Sequence, residues 1–272
     1  MGEALRPRSG PDRSAGPSAR RRRGGSSDPP KVIELRDVWL SFDAPVLRGV
    51  DLYVCAGETL LVLGESGTGK STILKLILRL LVPDRGSVRV FGREITRLPF
   101  SEVLRLRRRI GMVFQGAALF DSLTVFENVA YPLRESTKLP DREIERIVRE
   151  RLELVDLNAD RVATRLPAEL SGGMRKRVGI ARAIATDPEI ILYDEPTAGL
   201  DPLAVETIVE LIRRLQVELG VTSVVVTHDL RAGFKIASRV NLLRDGRIQF
   251  DGTPDELVAA DDPYIRAFIE AA

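Results

Sequence analysis

Eight consecutive residues, Gly64-Glu65-Ser66-Gly67-Thr68-Gly69-Lys70-Ser71, fit the pattern G-x-x-x-x-G-K-[ST] without a mismatch. In that pattern the glycines let backbone N–H groups converge on phosphate oxygens, the lysine reaches the terminal phosphates, and the serine hydroxyl can hold Mg²⁺. A glycine-rich turn without a ligand is the plainer reading, but such a turn has no use for Gly-Lys-Ser. The apolar run Leu60-Leu61-Val62-Leu63 ahead of the loop predicts a buried strand. Thr72 to Leu81 behind it predicts a helix that is apolar on almost every face and adds its positive dipole end to the phosphate site.

Further residues with chemical potential lie downstream. Asp194 and Glu195 end the apolar run that starts at Ile190. Next to a phosphate loop, the first acid can hold Mg²⁺ and the second can take a proton from an attacking water; two solvated loop acids are the alternative. His228, the only histidine in the chain, follows the continuous strand pattern Thr222 to Thr227. A lone histidine is commonly structural, yet this one falls at the carboxyl end of a parallel-type strand, where open α/β sheets bind ligands. Gln115 ends the apolar strand pattern from Ile110 in the same way. In Leu170-Ser171-Gly172-Gly173-Met174, Ser171 is a good N-cap for a helix over Arg175 to Thr186. The two glycines are dispensable for capping and leave amides open to a second anion; an ordinary capped helix is the competing reading. Phe42, upstream of the loop, has an aromatic face that can stack on a nucleotide base or pack in a core, and both readings stand at this level.

These residues need a scaffold. Short β-type runs at Val32 to Phe42, Val50 to Val54, Thr59 to Leu63 and Ser87 to Phe91, separated by Ala56-Gly57 and Pro83-Asp84-Arg85-Gly86, predict a small, partly antiparallel sheet around the loop. A helix is expected from Phe100 to Arg109 and a mostly helical region after Gln115. There, Ile144, Ile147, Val148, Leu152 and Val155 keep helical spacing over Asp141 to Asp156, with charges on a solvated opposite face. Asp201 closes the turn Ala198-Gly199-Leu200-Asp201 before a helix opened by Pro202. Arg239 to Phe250, with its Asp245-Gly246 turn, predicts a hairpin, and Pro254 to Leu257 and Pro263 to Ile269 predict short closing helices.

The chain has 272 residues and 44% hydrophobic content, enough for one large α/β domain or two small ones. Residues 1–30 carry seven Arg against three acids, so the formal charge of +2 hides a body with 34 basic and 36 acidic groups. That body is not a basic nucleic-acid binder, and no nucleic-acid partner is expected. Residues 1–30 are rich in Pro, Gly, Ser and Arg, with Leu5 their only large aliphatic, and are expected to form a disordered basic tail. The Arg20 to Arg23 cluster also suits anionic headgroups, and an Arg- and Ser-rich start also suits a transit peptide. One cysteine, Cys55, excludes an internal disulfide framework, suits a reducing compartment and is expected as a small buried hydrophobe in a strand. No run of 18 apolar residues predicts a transmembrane helix, so any membrane role needs a partner.

The order of these motifs resembles the ATP-binding subunit of ABC transporters from about residue 31 to the C-terminus. The resemblance implies an α/β fold of the P-loop NTPase type: a RecA-like core, an antiparallel β subdomain and a helical subdomain inserted over about residues 116–186. Gly64 to Ser71 matches the Walker A loop, Gln115 the Q-loop, Leu170 to Met174 the signature, Asp194 and Glu195 the Walker B pair, Asp201 the D-loop and His228 the switch histidine. The resemblance implies that ATP is held by Phe42, Gly64, Glu65, Ser66, Gly67, Thr68, Gly69, Lys70, Ser71 and Thr72, completed by Ser171, Gly172, Gly173 and Asp201 of a second copy. It likewise implies Ser71, Gln115 and Asp194 for Mg²⁺, and Glu195, His228, Lys70 and Gln115 for hydrolysis. The fifth signature residue is usually Gln, whereas this chain has Met174. That methionine and the segment Phe114 to Leu133 are similar to the Mla/Mce lipid-transport ATPases.

The resemblance therefore implies a peripheral subunit at the cytoplasmic face of the inner membrane that hydrolyses ATP to drive phospholipid transport. Its expected partners are a second copy of itself, an integral permease, an Mce-domain lipid-binding subunit and a small STAS-type subunit. The alternative within the fold is an importer or exporter ATPase for amino acids, metals or drugs. ABC ATPases acting on DNA or ribosomes carry a long coiled-coil insertion or tandem nucleotide domains, which this chain lacks. A non-catalytic nucleotide sensor is at odds with an intact Asp194-Glu195-His228 set.

Overall fold

The computed structural model describes residues 29–271; the tail expected over residues 1–30, with its arginine cluster, lies outside them apart from Pro29 and Pro30. The strands are β1 (Lys31–Ser41), β2 (Pro45–Cys55), β3 (Thr59–Leu63), β4 (Arg85–Val90), β5 (Arg93–Glu94), β6 (Ile110–Val113), β7 (Ile190–Asp194), β8 (Thr222–Thr227), β9 (Arg239–Arg244) and β10 (Arg247–Gly252). The helices are α1 (Lys70–Ile77), α2 (Phe100–Arg107), α3 (Val125–Ser136), α4 (Asp141–Leu154), α5 (Ala159–Val162), α6 (Gly172–Ala183), α7 (Pro202–Leu219), α8 (Leu230–Ile236), α9 (Pro254–Val258) and α10 (Pro263–Glu270). Four strands form an antiparallel sheet in the order β2-β1-β4-β5, and six form a second sheet in the order β10-β9-β3-β8-β7-β6. The second is parallel apart from the β9–β10 hairpin.

The continuous apolar strands follow from burial on both faces. In β3, Leu61 and Leu63 join one core with Ile191, Tyr193 and Val225, packed under α3, α4 and α6–α8. Leu60 and Val62 point the other way, joining Ile190, Leu192, Val224 and Val226 in a core with α1 and the antiparallel sheet. Each such side chain, fully buried, contributes about 1.5–3 kcal/mol, so both faces of β3 anchor the residues that follow it. Parallel register aligns the strand ends: Leu63 pairs with Thr227, Asp194 with Val226 and Val113 with Tyr193. The segments after β3, β6, β7 and β8 therefore leave the sheet at one edge.

Several boundaries differ from the sequence reading. The helix after the phosphate loop ends at Ile77 rather than Leu81: Arg79 turns left-handed at φ 50°, and the Leu80 and Leu81 amides both bond back to the Lys75 carbonyl. Lys75 is exposed opposite the buried Ile73, Leu74, Leu76 and Ile77, so the helix is not apolar on almost every face. The helix expected from Arg175 begins at Gly172, because the Ser171 hydroxyl accepts the Met174 amide at 3.2 Å, and it ends at Ala183. The run from Val50 is only the second half of β2, and the strand expected at Ser87 to Phe91 starts at Arg85 and stops before Phe91, whose φ is 51°. β5 and α8 were not expected. Cys55 is half-buried at the end of β2, not fully buried.

The helical region between β6 and β7 opens with a capping box: Thr124 accepts the Glu127 amide at 3.2 Å and the Thr124 amide donates to Glu127 Oε2 at 2.8 Å. Asn128, fully buried in α3, fastens the loop that leads from Gln115 to this helix. Its Oδ1 accepts the Phe120 amide at 2.8 Å, and its amide nitrogen lies within 3.1 Å of the Phe120, Leu123 and Thr124 carbonyl oxygens. Replacing it removes a set of part-buried side-chain-to-backbone hydrogen bonds, so Asn128→Ala is expected to lower unfolding free energy by about 2 kcal/mol in urea titrations. An unchanged midpoint and slope would show that the loop is held by other means.

Candidate functional site

The phosphate loop leaves the carboxyl end of β3 and runs into α1. Gly69 precedes the helix at φ 103°, and a Cβ there would press on Val46 and Leu47 side chains at 3.0 Å. Thr68 donates from its hydroxyl to the Glu65 carbonyl at 2.9 Å. Lys70 is 7% exposed, and its Nζ donates to the Gly64 and Glu65 carbonyls at 2.8 and 2.9 Å. The same ammonium lies 3.8 Å from the Glu195 carboxylate. Burial pushes the Lys70 pKa down, while the Glu195 and Asp194 carboxylates push it back up. Ser71 donates from Oγ to Asp194 Oδ1 at 2.7 Å, which puts a hydroxyl and a carboxylate side by side.

Glu195 follows β7 with φ 46°, a conformation that a non-glycine residue holds only when its surroundings insist. Its backbone N–H donates to the Val226 carbonyl at 2.9 Å, and its side chain is nearly buried. Two residues at the end of β8 hold that carboxylate: Thr227 donates from Oγ1 at 2.9 Å, and His228 Nδ1 lies 3.0 Å away. The imidazole itself is 63% exposed, so His228 is not a core histidine but a ring standing at the mouth of the site.

Phe42, Val46, Ser66, Gly67, Gly69, Lys70, Ser71, Thr72, Gln115, Glu195 and His228 line one cavity of about 320 Å³. At 62% exposure Phe42 is excluded from the core, and its ring is free to meet a ligand in this cavity. Gln115 is exposed on the segment after β6. Gly64 and Asp194 stand behind the lining through their contacts with Lys70 and Ser71. Glu65 faces a neighbouring cleft, where it accepts the Tyr264 hydroxyl of α10 at 3.1 Å. Ser171, Gly172, Gly173 and Asp201 are brought together with each other but not with the rest. They line a separate cavity of about 310 Å³ between the start of α6 and the start of α7, where Asp201 Oδ1 accepts the Ala204 amide at 3.0 Å.

Sequence reasoning missed three contributors. Thr227 reads as one more strand residue, although its hydroxyl is what fixes Glu195. Lys176, 5% exposed, donates from Nζ to the Gln115 carbonyl and, at 3.1 Å, to the Glu195 carbonyl. Flanked by Arg175 and Arg177, it looks like part of a solvated basic face. Burial lowers its pKa, against the opposing pull of Glu195 and Asp194. The third is Tyr264, over whose ring the Arg244 guanidinium lies at 3.7 Å.

The glycine-rich loop between β3 and α1, the paired Ser71 hydroxyl and Asp194 carboxylate, and the Glu195 carboxylate beside His228 are arranged as a P-loop nucleotide site would need. The chain belongs to the ABC transporter family, whose pattern it matches over residues 47–198, and it is an ATPase of that family. It is 40% identical over 228 residues to the intermembrane phospholipid transport system ATP-binding protein MlaF of Haemophilus influenzae, covering 84% of this chain and 86% of that protein. It is 38% identical over 239 residues to the probable ribonucleotide transport ATP-binding protein Mkl of Mycobacterium leprae, covering 88% of this chain and 68% of that protein. Among solved structures, a dimeric post-hydrolysis state of the ATP-binding cassette MJ0796 bound to ADP and Pi is similar at TM-score 0.76 and 35% identity, over 82% of this chain and 98% of that one. CbiO1 of Clostridium perfringens, part of the complex cbiONQ, is similar at TM-score 0.77 and 28% identity, over 90% and 100%.

Proposed function

We propose that this cassette powers transport of phospholipid, or a closely related lipid, through a separate membrane permease of the Mla/Mce type. The observation that carries the reading is the 40% identity to MlaF across most of both chains, joined to Met174 in the signature and the segment Phe114 to Leu133. A second reading, a different cargo such as ribonucleotides, draws support from the 38% identity to Mkl. Among the described residues no helix is long and apolar enough to cross a membrane, which fits a peripheral subunit docked on its permease at the cytoplasmic face. In this reading residues 31–272 are the ATP-binding domain, and the helices between β6 and β7 form its helical subdomain.

The chemistry follows from the site. Lys70 and the loop amides from Gly64 to Ser71 bind and orient the ATP phosphates, and Phe42 stacks on the base. Ser71, Asp194 and Gln115 would hold Mg²⁺, which would offset phosphate charge; the paired Ser71 and Asp194 oxygens fit that task. Glu195, aimed by Thr227 and His228, accepts the proton of the attacking water. His228 also positions the terminal phosphate. Ser171, Gly172, Gly173 and Asp201 line a cavity apart from this one, which supports a head-to-tail pair of chains in which one copy's signature completes the other copy's phosphate site. MJ0796, dimeric with its products bound, is a precedent for such a pair.

Affinity purification of the native membrane complex tests the cargo. An integral permease, an Mce-domain subunit, a small STAS-type subunit and bound phospholipid are expected, whereas a nucleotide, amino-acid or drug permease without lipid would refute it. For the hydrolytic roles, Glu195→Gln is expected to bind ATP normally, accumulate a closed dimer and lose at least about 100-fold in turnover, with His228→Ala similarly impaired. Wild-type turnover in Glu195→Gln would remove the base from this carboxylate.

A further inference from the structure

Lys176 is a buried cation that the hydrolytic chemistry does not use. Taking an ammonium out of water is costly unless specific partners receive it, and an apolar side chain would fill the same space more cheaply. The partners here are two backbone carbonyls from separate segments, Gln115 after β6 and Glu195 after β7. The Glu195 backbone is thereby held at both ends around its left-handed φ: its N–H donates to Val226, and its carbonyl accepts both the Lys176 ammonium at 3.1 Å and the Ala198 N–H at 3.2 Å. Helix α6 also grips the segment after Gln115. Arg182 donates to the Ala117 and Ala118 carbonyls at 2.7 and 2.8 Å, both alanines are left-handed, and the Gly179 backbone leaves only 3.1 Å between an added Cβ and Ala117.

One rigid helix therefore carries Ser171 and its glycines at its start and, through Lys176 and Arg182, fixes the loops bearing Gln115 and Glu195. We propose that Lys176 is a positioning residue that couples the N-terminus of α6 to the hydrolytic carboxylate of its own chain. This rests on the proposed roles of Glu195 and of the α6 N-terminus, and it deepens them. When the start of α6 engages a nucleotide on a second copy of the chain, any shift of the helix is passed through the Lys176 ammonium to the backbone that aims Glu195. Each phosphate site thus senses whether its own chain's signature is occupied.

The test uses the full chain with Lys176→Met, which keeps length and loses the donors, and Lys176→Gln, which keeps amide donors. Amide hydrogen exchange is followed over residues 115–118 and 194–198, beside ATP affinity and turnover. Lys176→Met is expected to exchange faster in both segments and to lose about tenfold in kcat with ATP affinity within about threefold of wild type. Lys176→Gln is expected to recover part of both. Unchanged exchange in the two segments, or a thermal midpoint that falls while kcat per folded chain stays at the wild-type value, would overturn the proposal. Glu195→Gln run in parallel separates the two ideas: full turnover there removes the role of Glu195, whereas unchanged exchange in Lys176→Met removes the coupling.

Discussion

Parallel pairing of β3 with β8 and of β8 with β7 is the constraint on which the site depends. Because Leu63 lies opposite Thr227 and Asp194 opposite Val226, the phosphate loop, the acid pair and the threonine–histidine pair emerge from the sheet at one edge. A slip of one residue would turn every strand side chain to the opposite face, exchanging Leu61 and Leu63 for Leu60 and Val62 between two cores already filled. The register is thus set by burial on both faces, and the chemistry is a consequence of where the strands stop.

Within that frame, charge is managed by pairing in a confined space. Lys70 and Lys176 are both buried, both have pKa values lowered by desolvation, and both face the same two carboxylates, Asp194 and Glu195. One ammonium stands on the cavity side with the loop carbonyls as acceptors, and the other stands behind Glu195 with that residue's own carbonyl as acceptor. Glu195 sits between them in a strained backbone conformation, its carboxylate steered by Thr227 and His228. Such strain persists only where the surroundings over-determine it, and here the surrounding hydrogen bonds hold Glu195 in place.

Much of this was legible in the chain. The strands Thr59–Leu63 and Thr222–Thr227 match their apolar runs residue for residue, and Asp245-Gly246 turns the β9–β10 hairpin, because these elements are governed by local pattern and burial. The loop, acid-pair and histidine residues were identifiable by spacing, and the structure gathers most of them around one cavity and its backing, while Glu65 faces the neighbouring cleft. Lys176, Thr227 and Asn128 were not identifiable, since their roles come from partners 61, 32 and 8 residues away that only the tertiary fold brings near. The length of α1 was misread for a related reason: Leu80 and Leu81 extend the apolar pattern, but the left-handed Arg79 ends the helix before them. Phe42 could not be assigned until its exposure excluded it from the core.

The two cavities also change what the phosphate loop is. Residues of the Gly64 to Ser71 loop line one cavity with Glu195 and His228, whereas Ser171, Gly172, Gly173 and Asp201 line a separate one. In the proposed head-to-tail pair, each chain would supply two unlike halves to two sites. The most direct measurement is ATP turnover per chain across a dilution series, with the state of association followed by sedimentation at each concentration. If the site is shared between two chains, ATP binding persists on dilution to monomer while turnover per chain collapses. A sedimenting monomer that hydrolyses ATP at the full rate per chain would contradict it.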